Sequence, residues 1–223
     1  HYRWGKGYKV PFFHIEAGLR SGDLLHPFPE EMIRRSVSNV TTLHFSPTEK
    51  AKNKLLDEKY DEDSIFVTGN TVIDSLLIIL SNLELCSKEN EIVLVTIHRR
   101  ENHGERLLDI LDAISELANK HKSVEFILPV HPNPQVKSII FDRLGKKENI
   151  ILKQPLDYLE LVKILKIAKL VLTDSGGIQE EAPTFQTPIL VLRDKTERTE
   201  GVDAGFAKLV GARKHDIIQE ADK

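Results

Sequence analysis

The sequence predicts an α/β protein of two doubly wound units, and three observations carry that prediction. Short apolar runs alternate with longer amphipathic stretches along the chain. The short runs are near-continuous in Val, Ile and Leu, as strands covered on both faces are. A polar, charged stretch at residues 81–91 interrupts the alternation, with three strand candidates before it and about five after. Strands alternating with helices in this way indicate βαβ units and parallel sheets.

Taken in order, the strand candidates before the break are Val10–Ile15, Leu43–Phe45 and Ile65–Val67. Those after it are Ile92–Ile97, Val124–Val130, Ile150–Leu152, Leu170–Thr173 and Pro188–Leu192. Helical patterns lie between them. The clearest is Arg106–Lys120, where Leu107, Leu108, Leu111, Ile114, Leu117 and Ala118 share one face. The expected division is residues 1–82 as the later part of a first unit, 83–90 as a linker, and 91–223 as a complete second unit. The chain opens at His1, its one methionine is Met32, and strand-like material starts at Val10; these features read as a start part-way through a domain.

Composition narrows the function. Lys and Arg number 31 against 34 Asp and Glu, a net charge of −3, so the chain has no electrostatic footprint for a nucleic acid backbone. The longest aliphatic run, Leu76 to Leu80, is far short of the roughly 20 apolar residues of a membrane span. Residues 1–15 show no apolar stretch of a secretory signal followed by small residues. A hydrophobic content of 40% suffices for a core. The lone Cys86 makes neither an internal disulfide nor a cysteine-rich metal site and fits a reducing cytoplasm. The nine histidines show no metal-ligand spacing, so no metal is expected.

In open parallel sheets ligands collect beyond the carboxyl ends of the strands. After Leu170–Thr173 comes Asp174-Ser175-Gly176-Gly177, leading into a helix that carries Glu181. The glycines permit close backbone approach, the helix start offers N–H groups to an anion, and Glu181 can accept from ribose hydroxyls. The same residues also fit an ordinary serine-capped turn. It is not a P-loop, since no Gly-Lys-Ser/Thr follows. After Ile92–Ile97 comes His98-Arg99-Arg100-Glu101-Asn102, cations suited to a diphosphate or to a surface loop pairing Arg99 and Arg100 with Glu101 and Glu105. Strand Val124–Val130 ends at His131, between Val130 and Pro132, where a structural loop role is the plainer reading. Glu16 and Glu30 follow the first strand and could form an acid/base pair, or be solvated carboxylates.

Nine strings in order resemble the non-hydrolysing UDP-N-acetylglucosamine 2-epimerases. They are HIEAGLR (14–20), PFPEE (27–31), FSPTE (45–49), VTGNTVID (67–74), TIHRREN (96–102), PVHPNP (129–134), PLDY (155–158), TDSGGIQEEAP (173–183) and RDKTER (193–198). The resemblance implies a glycosyltransferase-B-type architecture, two Rossmann-like domains with the UDP-sugar between them, the first lacking its N-terminal part here. It implies C2 epimerisation by elimination and re-addition of UDP through a 2-acetamidoglucal, without NAD, metal or other cofactor. By the same resemblance Glu16 and Glu30 work at C2 and His98 lies near the leaving UDP. Leu156 and Leu161 hold the uracil by backbone contacts, Ser175, Gly176 and Gly177 the diphosphate, Glu181 the ribose, and Arg198 a phosphate. His131 is the candidate for regulation by a second substrate molecule, and a cytoplasmic homodimer in nucleotide-sugar metabolism, feeding cell-surface polysaccharide, is implied. The sequence departs from the family pattern at Ile33, where Asn is usual, and at Thr199, where Pro is usual. A transferase on the same architecture, an epimerase of another UDP-2-acetamido sugar and a non-catalytic nucleotide-binding chain are the alternatives.

Overall fold

The computed structural model describes residues 10–25, 28–82 and 91–223. Two compact units divide the chain at residues 1–74 and 75–223. The division falls upstream of the expected linker 83–90, which, like Cys86 and Pro27, lies outside the described residues.

The first unit holds a three-stranded parallel sheet in sequential order: β1 (Phe13–Ile15), β2 (Leu43–Ser46) and β3 (Ile65–Val67). Helices α1 (Glu30–Ser38) and α2 (Glu49–Asp57) connect the strands, and the division falls inside α3 (Thr71–Ser81). Strand β1 is shorter than expected, because Pro11 has no N–H to give a ladder. Ala17, Leu55 and Ile65 form a small core with Leu56 and Tyr60 packed against it. Gly18 has φ +87°, and a Cβ there would lie 2.1 Å from the Ala51 carbonyl oxygen. Only glycine lets the turn after β1 rest on α2. Arg20, also buried, pairs with Glu58 at 2.8 Å and donates to Ser38 Oγ at 3.0 Å.

In the second unit, strands β4 (Ile92–Thr96), β5 (Glu125–Pro129), β6 (Ile150–Lys153), β7 (Ala168–Thr173), β8 (Ile189–Val191) and β9 (Ala207–Leu209) form one parallel sheet. Its order is β6-β5-β4-β7-β8-β9, the Rossmann order, in which the strand sequence reverses between β4 and β7. Neighbours along β4 face opposite ways. Val93, Val95 and Ile97 pack with helices α4 (Glu105–Lys120), α5 (Pro134–Leu144) and α9 (Lys214–Ala221). Ile92 and Leu94 pack on the other face with Ile164 and Leu165 of α6 (Tyr158–Ile167) and Ile178 of α7 (Gly176–Glu181). This two-sided burial is why the strands read as unbroken apolar runs. The sixth strand, β9, exceeds the five expected. It follows the short helix α8 (Glu200–Asp203), and its three residues Ala207, Lys208 and Leu209 give no apolar run. Among the described residues no helix is long and apolar enough to cross a membrane.

Candidate active site

The reversal between β4 and β7 puts two strand ends side by side, and Asp174 joins them. Its carboxylate is fully buried and accepts from His98 N at 3.1 Å, Arg99 N at 3.0 Å and Asn102 Nδ2 at 3.0 Å. The His98 ring nitrogen Nδ1 lies 3.0 Å from Asp174 Oδ1. Burial pushes the Asp174 carboxyl up, but the contacts from His98, Arg99 and Asn102 together outweigh it and hold the group below the usual carboxylate range. Asp174 is thus a buried anion that organises the residues after β4. Sequence reading quoted it within a motif and gave it no role; its bonds span 72 to 76 positions and become visible once β4 and β7 are neighbours. Arg99 likewise turns inward, its Nε donating to the Asp174 carbonyl at 3.0 Å, rather than pairing on the surface with Glu101 and Glu105. Glu101 instead receives the buried Arg193 at 2.9 Å.

A cavity of about 220 Å³ opens at the carboxyl ends of β4, β5, β6 and β7. It is lined by His98, His131, Leu156, Leu161, Ser175 and Ile178, with Thr96, Ile97 and the segments 129–132 and 155–156 completing the wall. The structure therefore gathers five of the sequence-selected residues in one place: His98, His131, Leu156, Leu161 and Ser175. The cavity is smaller than the roughly 300–1,000 Å³ of a whole ligand site. Its prolines and leucines give an apolar slot, while Ser175 and the two histidines supply the polar groups.

Around α7 the remaining residues of the second unit cluster. A Cβ at Gly176 would sit 2.9 Å from Cζ of Arg198, so the glycine leaves room for that guanidinium against the helix start. Arg198 is fixed there by Glu180 at 2.8 Å and by Glu197, which also holds Arg193 at 3.1 Å. A Cβ on Gly177 would lie in ordinary contact with Glu181 Oε1, at 3.7 Å. Glu181 is buried and its Oε2 has no hydrogen-bond partner. Burial raises its pKa, and the Tyr158 hydroxyl, hydrogen-bonded to it, partly offsets that. Tyr158 in turn is pushed up to about 12 by burial and by the Glu181 charge. A buried carboxylate oxygen without a donor is costly unless a ligand hydroxyl meets it.

Glu16 and Glu30 belong to the first unit. Glu16 follows β1 and has φ +61°, in the left-handed region that a non-glycine residue adopts at a cost of about 1–3 kcal/mol. Its Oε1 accepts from Asn70 Nδ2 at 3.4 Å. No sequence signal marked that backbone. Glu30 is exposed and opens α1, where the helix dipole favours a carboxylate. Its neighbour Glu31 is buried, accepts from Ser21 N at 3.1 Å and pairs with Arg35 at 3.4 Å, which anchors the start of α1.

Comparison with known proteins bears on what this arrangement serves. A family model described as UDP-N-acetylglucosamine 2-epimerase matches residues 4–223. A UDP-N-acetylglucosamine 2-epimerase of Neisseria meningitidis is 45% identical over 95% of the chain and 60% of its own length. One of Escherichia coli K12 is 42% identical over 96% of the chain and 61% of its own length. The crystal structure of the Neisseria meningitidis enzyme bound to UDP-GlcNAc superposes with a TM-score of 0.92 at 44% identity, covering 96% of this chain and 61% of that one. The chain thus spans about 60% of the length of the curated relatives it matches. On this evidence, the α/β fold is of the glycosyltransferase-B type expected, and the chain belongs to the UDP-N-acetylglucosamine 2-epimerase family.

Proposed function

We propose that the protein interconverts UDP-N-acetylglucosamine and UDP-N-acetylmannosamine at C2 by elimination and re-addition of UDP. In the first step the C2 proton passes to a carboxylate, the C1–O bond breaks, and UDP leaves with that electron pair, giving a 2-acetamidoglucal. In the second, UDP oxygen adds back to C1 while a proton returns to C2 on the opposite face. Two carboxylates suit this sequence, because a proton must be handled on each face of the ring. Glu16 and Glu30 take that role, with the backbone of Glu16 held in an uncommon conformation.

The observation that carries the reading is the cavity at the β4–β7 reversal, in a chain of this family. Leu156 and Leu161 form the slot for the uracil, whose edges are met by backbone groups. Glu181 Oε2, buried without a partner, accepts from the ribose. Ser175, Gly176, Gly177 and Arg198 hold the diphosphate, and His98 faces the leaving phosphate. The reaction draws on no metal or cofactor, since the proton and the leaving group are both served by side chains. We further place the protein in the cytoplasm as a homodimer, a reading supported by the single cysteine and by the family resemblance.

Incubation with UDP-N-acetylglucosamine and no acceptor tests this. Proton NMR should show UDP-N-acetylmannosamine accumulating to equilibrium. An unchanged sugar nucleotide that releases UDP only when an acceptor is added would assign a transferase instead.

A further inference from the structure

Two histidines line the cavity, and their hydrogen bonds fix which ring nitrogen carries the proton. His131 Nδ1 lies 3.1 Å from the backbone nitrogen of Asn133. A backbone N–H only donates, so Nδ1 is the acceptor, and the neutral ring carries its proton on Nε2. The loop holds this geometry firmly. Pro132 and Pro134 restrict the backbone on either side of Asn133, whose side chain accepts from Gln135 N at 3.0 Å and caps α5.

His98 is the reverse case. Its Nδ1 lies 3.0 Å from Asp174 Oδ1, and an ionised carboxylate only accepts. The proton therefore sits on His98 Nδ1, and Nε2 is the nitrogen left to accept, or to take a second proton. That second proton strengthens the bond to Asp174 by making it charge-assisted. A second proton on His131 would instead occupy Nδ1 and break the bond from Asn133 N.

We propose that the cavity presents two imidazoles in opposite tautomers, His131 with its proton on Nε2 as an N–H donor and His98 with its proton on Nδ1 and its Nε2 left for a phosphate oxygen's proton, with Asp174 as the positioning residue that sets His98. The phosphate ligand rests on the nucleotide reading of the cavity; the ring states rest on the hydrogen bonds alone. The two oxygens of Asp174 are not equivalent. Oδ2 accepts from Arg99 N and Asn102 Nδ2 and shares the His98 N–H with Oδ1, which also faces His98 Nδ1. In Asp174→Asn the amide oxygen keeps the Oδ2 place, where three donors converge, the His98 N–H among them. The amide nitrogen then falls opposite His98 Nδ1 and donates to it, driving the ring proton to Nε2.

Ring-nitrogen NMR of the histidine-labelled chain in mildly alkaline buffer reads this directly, with His98→Gln and His131→Gln to assign the signals. The expected spectrum has the proton on Nδ1 of His98 and on Nε2 of His131. Asp174→Asn should switch His98 to the Nε2–H form and leave His131 unchanged. An Nε2–H form of His98 in the parent, an Nδ1–H form of His131, or an unswitched His98 in folded Asp174→Asn overturns the proposal. The parent spectrum decides by itself if the variant does not fold. Added UDP should shift both rings; if it shifts neither, the nucleotide reading of the cavity falls while the ring states stand.

Discussion

Glu181 shows how much one residue's surroundings add to its identity. As a letter it is an acidic residue one turn into a helix; in the fold it is buried, touched by the Tyr158 hydroxyl, and left with an oxygen lacking a donor. If that oxygen meets the ribose, Glu181→Ala removes charge-assisted hydrogen bonds worth roughly 1.5–3 kcal/mol, or about a 10- to 150-fold loss in UDP affinity. Titration calorimetry of parent and variant measures this, and equal affinities would return Glu181 to a structural role. The strand-end rule made Ser175, His98 and His131 legible as candidates, because each lies within two residues of the end of a strand-like run. Asp174 was not legible as an organiser, since its importance lies in contacts from a strand more than 70 positions away. Nor was the left-handed Glu16, because glutamate carries no preference for that backbone.

At the scale of elements, strands with unbroken runs of Val, Ile and Leu announced themselves, and helix α4 did so through its apolar face. Strand β9 did not, because an edge strand of three residues with a central lysine has no periodicity to detect. The β1–β2 pairing adds a property that neither strand shows alone. His14 and His44 stand opposite one another in register, with ring centroids 6.3 Å apart. Burial lowers the pKa of His14 to about 4, with His44, Arg20 and Arg34 adding to the effect, and burial with Arg20 lowers that of His44 too. Between pH 6.5 and about 4 the unfolded chain therefore binds a proton at His14 that the folded chain does not. Stability must fall as pH drops through that window, since protons favour the state that binds them. Denaturant midpoints of the chain should decline with acid over this range, and His14→Gln should flatten the decline. A midpoint in His14→Gln that follows pH as the parent does would show that other groups carry the dependence.

For the whole molecule, the fold class was readable because alternation of strand and helix is a long-range pattern that survives errors at individual boundaries. The polar stretch 83–90 stands out in composition alone, and the compact units divide inside α3. The sheet order, which fixes where strand ends meet, emerges only from the fold; it turns a set of separate strand-end motifs into one cavity. The central claim is chemical: UDP leaves and returns while the C2 hydrogen is lost to a carboxylate. UDP-N-acetylglucosamine carrying deuterium at C2 is the direct probe, followed by NMR as the protein turns it over in ordinary water. The account predicts that the deuterium washes out to solvent in step with epimerisation. It also predicts that Glu16→Gln and Glu30→Gln, which keep shape but cannot transfer a proton, each slow the wash-out about 10²–10⁴-fold while UDP affinity stays near the parent's. Product sugar that retains its C2 deuterium, or wash-out at the parent rate in either variant, would contradict it.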